Sequence, residues 1–355
     1  MKDGTVSRIT AYPNHFTYHR LGHVTPCHDY PQLPNSVLTE TEVSDPMTLH
    51  RLRLTAVMLL LTLATACMGQ APSPPAGLQP PTSEQFAGYW YQGLAELTRY
   101  DLSQARYGEL REGDAVMVFV TEDFLADTQV KFEGRPTDEA RRTVLKLNAM
   151  RNFVTGIYPY SIMTSVFSPV DVAREQTLKV TSSTQEWCGM TFMQLNHRGD
   201  DYQVRLHSYF QAEADQRISL DDALPEDALW TTVRLDPTRL PLGEIELIPA
   251  LTHLRLAHKP ARVEAATATL EERAIPELGD APLMVYTVDY HDLDRTLTIV
   301  FDAAFPYTIH RWEEAVNSAG TPLVTRATRT HSIQSPYWSK NSVADTTWRA
   351  TLGLD

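Results

Sequence analysis

The chain has 355 residues, of which 43% are hydrophobic and 21% charged, a globular composition and not a disordered or fibrous one. Its 31 basic and 44 acidic residues give a formal net charge of −13, which argues against a nucleic-acid-coating protein, because such a protein needs a basic footprint. Three cysteines are too few for a disulfide scaffold.

Residues 47–67 read MTLHRLRLTAVMLLLTLATAC. Arg51 and Arg53 form a basic start, 54–63 an apolar or hydroxyl run, and Ala64, Thr65 and Ala66 a small-residue stretch before Cys67. This is the layout of a secretory signal over 47–66. The run is too short for a transmembrane helix of about 20 residues. Ala64-Thr65-Ala66-Cys67 resembles the lipobox of bacterial lipoproteins, although Ala64 stands where Leu is usual. The resemblance implies that the Cys67 thiol is diacylated, the bond before it cut, and the new amine acylated. Several acyl chains hold a membrane stably where one holds marginally. An ordinary secretory signal with an incidental cysteine is the alternative. Met68 follows where an aspartate would mark inner-membrane retention in enterobacteria, which favours an outer-membrane lipoprotein facing the periplasm.

A signal peptide comes first in a chain, so residues 1–46 are expected to be an over-extended gene start, with Met47 initiating. They contain His15, His19, His23, Cys27 and His28. Histidines four apart share a helix face and suit zinc. Pro13, Gly22 and Pro26 argue against a helix there, and no metal site is expected. Beyond Cys67, five prolines between 72 and 81 make 67–83 an extended tether.

Residues 84–355 read as a single β-rich periplasmic domain. Strands are expected at 89–98, 115–120, 144–148, 162–167, 177–182, 190–197, 202–210, 244–248, 251–258, 262–269, 285–290, 295–301, 307–312 and 323–333. The clearest is 202–210, where Tyr202, Val204, Leu206 and Phe210 share one face and Gln203, Arg205 and His207 the other. Hairpin turns are expected at Glu112-Gly113-Asp114, Arg198-Gly199-Asp200-Asp201 and His291-Asp292-Leu293-Asp294. Helices are expected only at 225–233 and 342–352, the second opened by Ser342 and Asp345 at capping-box spacing. Strands joined by short turns pair antiparallel, and so large a sheet must curl, close or split. The fold class is therefore all-β with minor α: one large curved antiparallel sheet, barrel-like or a two-layer sandwich, with one or two short helices.

Cys188, in Gln185-Glu186-Trp187-Cys188-Gly189-Met190, is the remaining thiol once Cys67 is acylated. It is either a nucleophile, with His197 or His207 as base, or a small buried hydrophobe. Burial is favoured, because no cysteine-protease surround is present. Two aromatic clusters stand out: Tyr158 and Tyr160, and Tyr337 and Trp338; Trp187, which with Met190 suits a packed site around Cys188, is a further binding candidate. Such residues in Pro-containing loops serve as binding anchors or fold over the ends of a β core. The stretch 98–109 is a partner face, or a strand and turn with paired charges. His253 and His258, read on a strand, point to opposite faces and make poor metal ligands. No phosphate loop, dinucleotide fingerprint, HExxH or GxSxG is present, and no cofactor is implied.

The strings YWYQG at 89–93, SQARYGE at 103–109, TGIYPYS at 155–161, SSTQEWCG at 182–189, LDRTL at 293–297 and YWSKNS at 337–342 resemble a family of uncharacterised outer-membrane lipoproteins of Bacteroidetes-type bacteria. The resemblance spans the mature domain and implies no established activity. Some members carry the label septum formation inhibitor Maf. Maf proteins proper resemble α/β nucleotide pyrophosphatases, and this chain has neither their alternating pattern nor their N-terminal Ser-and-Arg motif, so that label does not fit it. The expected function is non-enzymatic binding of an apolar ligand or an envelope partner. A periplasmic hydrolase acting on cell-wall or glycan material, and a structural part of an envelope assembly, are the alternatives.

Overall fold

The computed structural model describes residues 72–318 and 321–354. The signal segment, Cys67 and the histidines of 15–28 lie outside the described residues.

Period-two burial is the rule along the chain. In the strand Asp201–Ser208, Tyr202, Val204 and Leu206 are buried, while Gln203, Arg205 and His207 are exposed. The first half of the sheet holds β1 (Ala95–Arg106), β2 (Glu109–Leu125), the short β3 (Val130–Lys131), β4 (Arg141–Thr155), β5 (Tyr158–Pro169), β6 (Lys179–Glu186), β7 (Gly189–Arg198), β8 (Asp201–Ser208) and β9 (Gln216–Asp221). The second holds β10 (Leu224–Pro225), β11 (Gly243–Ile248), β12 (Glu264–Arg273), β13 (Leu283–Tyr290), β14 (Arg295–Phe301), β15 (Ile309–Ser318) and β16 (Thr321–Ser335). The α-helices are α1 (Ser83–Trp90), α2 (Leu229–Leu235), α3 (Leu251–Ala257) and α4 (Thr347–Thr351).

The hydrogen-bonded order is β10-β11-β12-β13-β14-β15-β16-β1-β2-β4-β5-β6-β7-β8-β9, with β3 beside β2. The chain begins in the middle of the sheet and works outward to β9. It resumes on the far edge at β10 and returns to β16, which pairs antiparallel with β1, Ala95 opposite Ser335. Only three peptide steps separate Asp221 at the end of β9 from Leu224 at the start of β10. Three steps reach about 11 Å at most. The sheet is therefore curled until its two edges are neighbours, as one barrel-like wall and not two separate layers.

All seven residues of α2 are buried, and a helix buried all round belongs inside a core. Leu229, Trp230 and Val233 of α2 and Leu251 and Leu254 of α3 join one core with Leu147, Val166, Leu195, Val204, Val288, Ile299 and Trp312 from the sheet. The chain enters through α1 at a closed, apolar end, where Leu78, Trp90 and Phe119 are buried. The turns β1–β2, β4–β5, β6–β7, β8–β9 and β13–β14 gather at the other end. There the inward residues turn polar: Gln104, Thr155, Thr184, Thr191, Glu264 and Thr325 are all buried.

Three expectations fail. Residues 89–98 are not one strand: α1 runs to Trp90 and β1 starts at Ala95. Thr82 and Gln85 form a reciprocal capping box at the start of α1, and the aromatic string 89–91 masks it. Residues 251–258 are helix and not strand. The helix ends in a Schellman motif with His258 in the left-handed region at φ 52°, Lys259 N donating to Leu254 O at 2.9 Å. The position carries no glycine, and the sequence marks the stop only by Pro260, two residues further on. Gly113 lies inside β2, not at a turn; the turn is Tyr107-Gly108, with Tyr107 at φ 52° and Gly108 at φ 76°. The hairpins at Arg198–Asp201 and 291–294 form as expected. The Ser342–Asp345 box forms too, and caps a 3-10 turn ahead of α4.

Candidate functional site

The open end of the barrel is divided by α3. One cavity of about 250 Å³ lies between α3 and the inward faces of β6–β9. Its walls include Met193, Val204, Leu206 and Ile218 from the strands and Leu251 and Leu254 from the helix. A second cavity of about 320 Å³ lies on the other side of α3, bordered by His253, Leu256, Gln104, Glu314 and Thr325. Lys259 borders both.

Under α3 sits a buried ionic group. Arg295 holds Glu226 in a two-pronged pair at 2.5 and 2.7 Å, and Tyr290 donates to the same carboxylate at 2.6 Å. Arg151 donates to Glu314 at 2.7 Å and lies 4.3 Å from the Trp312 ring centre. Burial pushes Glu314 up, but Arg151 and Arg295 outweigh it and hold its carboxyl at about 2. Asp227 accepts the Leu251 N–H at the start of α3 at 2.9 Å. Burial lifts Asp227 to about 7 against that hydrogen bond, helped by the charge of Glu226. Burial, with the charge of Arg295, pushes His253 down to about 4, so its imidazole is neutral at neutral pH.

The aromatic candidates divide between the two ends. Tyr160 is buried and stacks on Phe153 at 4.9 Å. Its hydroxyl lies 2.8 Å from that of Tyr107, and Arg106 donates to it at 3.1 Å. Arg106 also donates to Leu256 O at the end of α3 at 2.5 Å, which locks the helix to the β1–β2 tip. Tyr158 is partly exposed, with its ring 6.5 Å from that of Trp187. Three hairpin tips thus meet through Tyr107, Tyr158 and Trp187. Tyr337 and Trp338 are exposed in a 3-10 turn after β16, at the opposite end.

The expected burial of Cys188 is wrong. It is exposed at the β6–β7 tip beside Trp187, which is 69% exposed. A two-residue hairpin tip has no second layer to bury it. Glu186 accepts the Cys188 N–H at 2.6 Å and its carboxylate pushes the thiol up. A raised thiol is a poor nucleophile at neutral pH. Arg255 is not legible in the sequence as a cavity residue, because a strand over 251–258 hides which residues α3 turns to the cavity. Tyr107 is likewise masked by the mixed polar stretch around it.

No family model matches the chain, and no curated protein matches it. Among solved structures it is similar to a β-barrel-like protein of a domain of unknown function, DUF1849, from Brucella abortus. The identity is 10% over 68% of this chain and 97% of that one, with a TM-score of 0.42. A similarity of that extent carries no functional inference.

Proposed function

We propose that this protein is a lipid-anchored envelope lipoprotein, attached through Cys67 to the outer membrane, whose barrel-like domain binds an amphiphilic small molecule at its open end. The observation that carries the binding half is the cavity of about 250 Å³ walled by Met193, Val204, Leu206, Ile218, Leu251 and Leu254. Apolar cavities of about 150 Å³ already take benzene. Wild type purified from cell membranes, analysed by native mass spectrometry and lipid extraction, is expected to carry a bound amphiphile. Leu206→Trp fills the cavity and is expected to lose it while still folding. Wild type that neither retains nor takes up any amphiphile would overturn this reading.

The anchoring half rests on the order of charge, apolar run, small residues and Cys67. Metabolic labelling with an alkyne fatty acid is expected to mark wild type but not Cys67→Ala.

The hydrolase reading has less support. Asp227 is the acid whose titration range suits a general acid at neutral pH. It borders a void of about 20 Å³, room for one water and not for a glycan. The exposed Ile157, Trp187, Met190 and Tyr209 around the mouth favour a second reading, contact with an envelope protein there. Crosslinking from those positions is expected to yield one dominant partner if it holds.

A further inference from the structure

The smaller cavity is charged in the opposite sense to the protein as a whole. The chain carries a formal −13, yet the residues bordering this cavity include the cations Arg255 and Lys259, the imidazole of His258, and a single acid, Glu213. Arg255 is 5% exposed. Its guanidinium rests 4.3 Å from the Phe210 ring centre. Its Nη1 lies 3.4 Å from His258 Nε2 and 3.9 Å from Glu213 Oε1, the latter too far for a hydrogen bond, and its Nε has no protein partner. Glu213 is instead held by others: Ser208 Oγ donates to its Oε2 at 2.5 Å, and His258 Nδ1 lies 2.6 Å from its Oε1.

A buried cation is costly unless matched by acceptors, and an incompletely matched one is a standing site for an anion. The apolar walls continue from Arg255 through Leu254 and Leu251 into the barrel. We propose that the cavity selects an anionic amphiphile, an acyl chain ending in a carboxylate or another singly charged acidic head. The chain lies against β7–β9 and the head meets Arg255, with Lys259 at the exposed rim. Glu213 is then the resident competitor that the ligand head displaces from the neighbourhood of Arg255. This rests on the ligand-binding reading and adds to it the sign of the head group.

Three probes share one tail and differ in charge: decanoate, decanol and decyltrimethylammonium. Titration calorimetry on wild type is expected to rank decanoate about tenfold above decanol, the usual worth of a charge-assisted hydrogen bond, with the cation weakest. Arg255→Gln is expected to abolish the preference for decanoate and leave decanol unchanged. Two variants that keep Arg255 in place guard against misfolding there. Lys259→Gln is expected to weaken decanoate a few-fold. Glu213→Gln is expected to tighten it, a gain that no folding defect produces. Decanol binding as tightly as decanoate to wild type, or an unchanged preference in Arg255→Gln, would overturn the anionic head while leaving the apolar cavity standing. If none of the three binds, both readings fall.

Discussion

At the residue scale, the interior is held by arginine–carboxylate pairs set in an apolar shell. Arg234 of α2 meets Glu96 of β1 through two prongs at 2.5 and 2.6 Å, both residues almost fully buried. Tyr89 donates to the same carboxylate, and the guanidinium lies about 5 Å from the rings of Trp90 and Phe119. Burial pushes Glu96 up, but Arg234 outweighs it and keeps the carboxyl below its ordinary range. Removing one partner strands the other charge. Arg234→Met is therefore expected to cost about 3–5 kcal/mol in urea unfolding, and the Glu96→Gln, Arg234→Met pair to recover most of it. A single variant as stable as wild type would contradict this account. Asp227 gives a pH signature. Its folded value of about 7 stands above the ordinary 3.8. Between those values the folded state keeps a proton that the unfolded chain has released, so this group's stabilising contribution is full below about pH 4 and is lost as pH rises through 7. Asp227→Asn keeps an acceptor for the Leu251 N–H and cannot ionise. Its melting temperature is expected to gain on wild type by roughly 5 °C between about pH 5 and pH 8. Parallel profiles would show that Asp227 does not titrate in that range.

At the element scale, the hairpins were readable where turn chemistry and alternation agreed, as across Gly199-Asp200, and misread where a residue serves the neighbouring strand. Gly113 is such a residue. A Cβ there would stand 2.1 Å from the backbone oxygen of Asn152 and 2.9 Å from the Phe153 Cβ. The glycine permits close approach of β4, which is the other meaning of an isolated glycine in a strand pattern. Gly113→Ala is expected to destabilise by about 1–3 kcal/mol in thermal unfolding, because β2 and β4 must part. The helix α3 was illegible for a similar reason. Its stripe of Leu251 and Leu254 is only two turns long and is interrupted by Thr252, His253 and Arg255, and its stop uses His258 instead of glycine. The candidate site suffered with it. Met193, Val204 and Leu206 were readable as inward strand residues, but Arg255 becomes a cavity residue only once 251–257 is a helix. Tyr158 and Trp187 were visible as aromatics and lie ring to ring at 6.5 Å, and Tyr107, 51 residues before Tyr158 in sequence, joins them by accepting a hydrogen bond from the Tyr158 hydroxyl.

At the scale of the whole molecule, the curled sheet has two free edges that connectivity brings side by side without pairing. Hydrogen exchange is expected to be slowest in β4 and β5, which pair on both sides and pack on α2, and fastest in β9, which pairs on one side. Because Gln216 and Ile218 of β9 border the smaller cavity, a bound amphiphile is expected to slow exchange in β9 selectively. Protection confined to the central strands would place the ligand elsewhere.

Composition and period-two alternation were enough to determine the class of this protein. Burying alternate side chains of many short segments joined by tight turns leaves a large antiparallel sheet as the outcome, and no sheet of that size stays flat. The tertiary structure decided what fills the sheet. Whether its interior is a dry core, a cavity or a polar mouth depends on where 226–258 folds back, and the pairs that fix it there, Glu226 with Arg295 and Arg234 with Glu96, join residues distant in sequence. Local pattern reports only which faces are apolar. It cannot report which distant apolar or charged group meets them, and the cavities, the buried arginines and the mouth are all meetings of that kind.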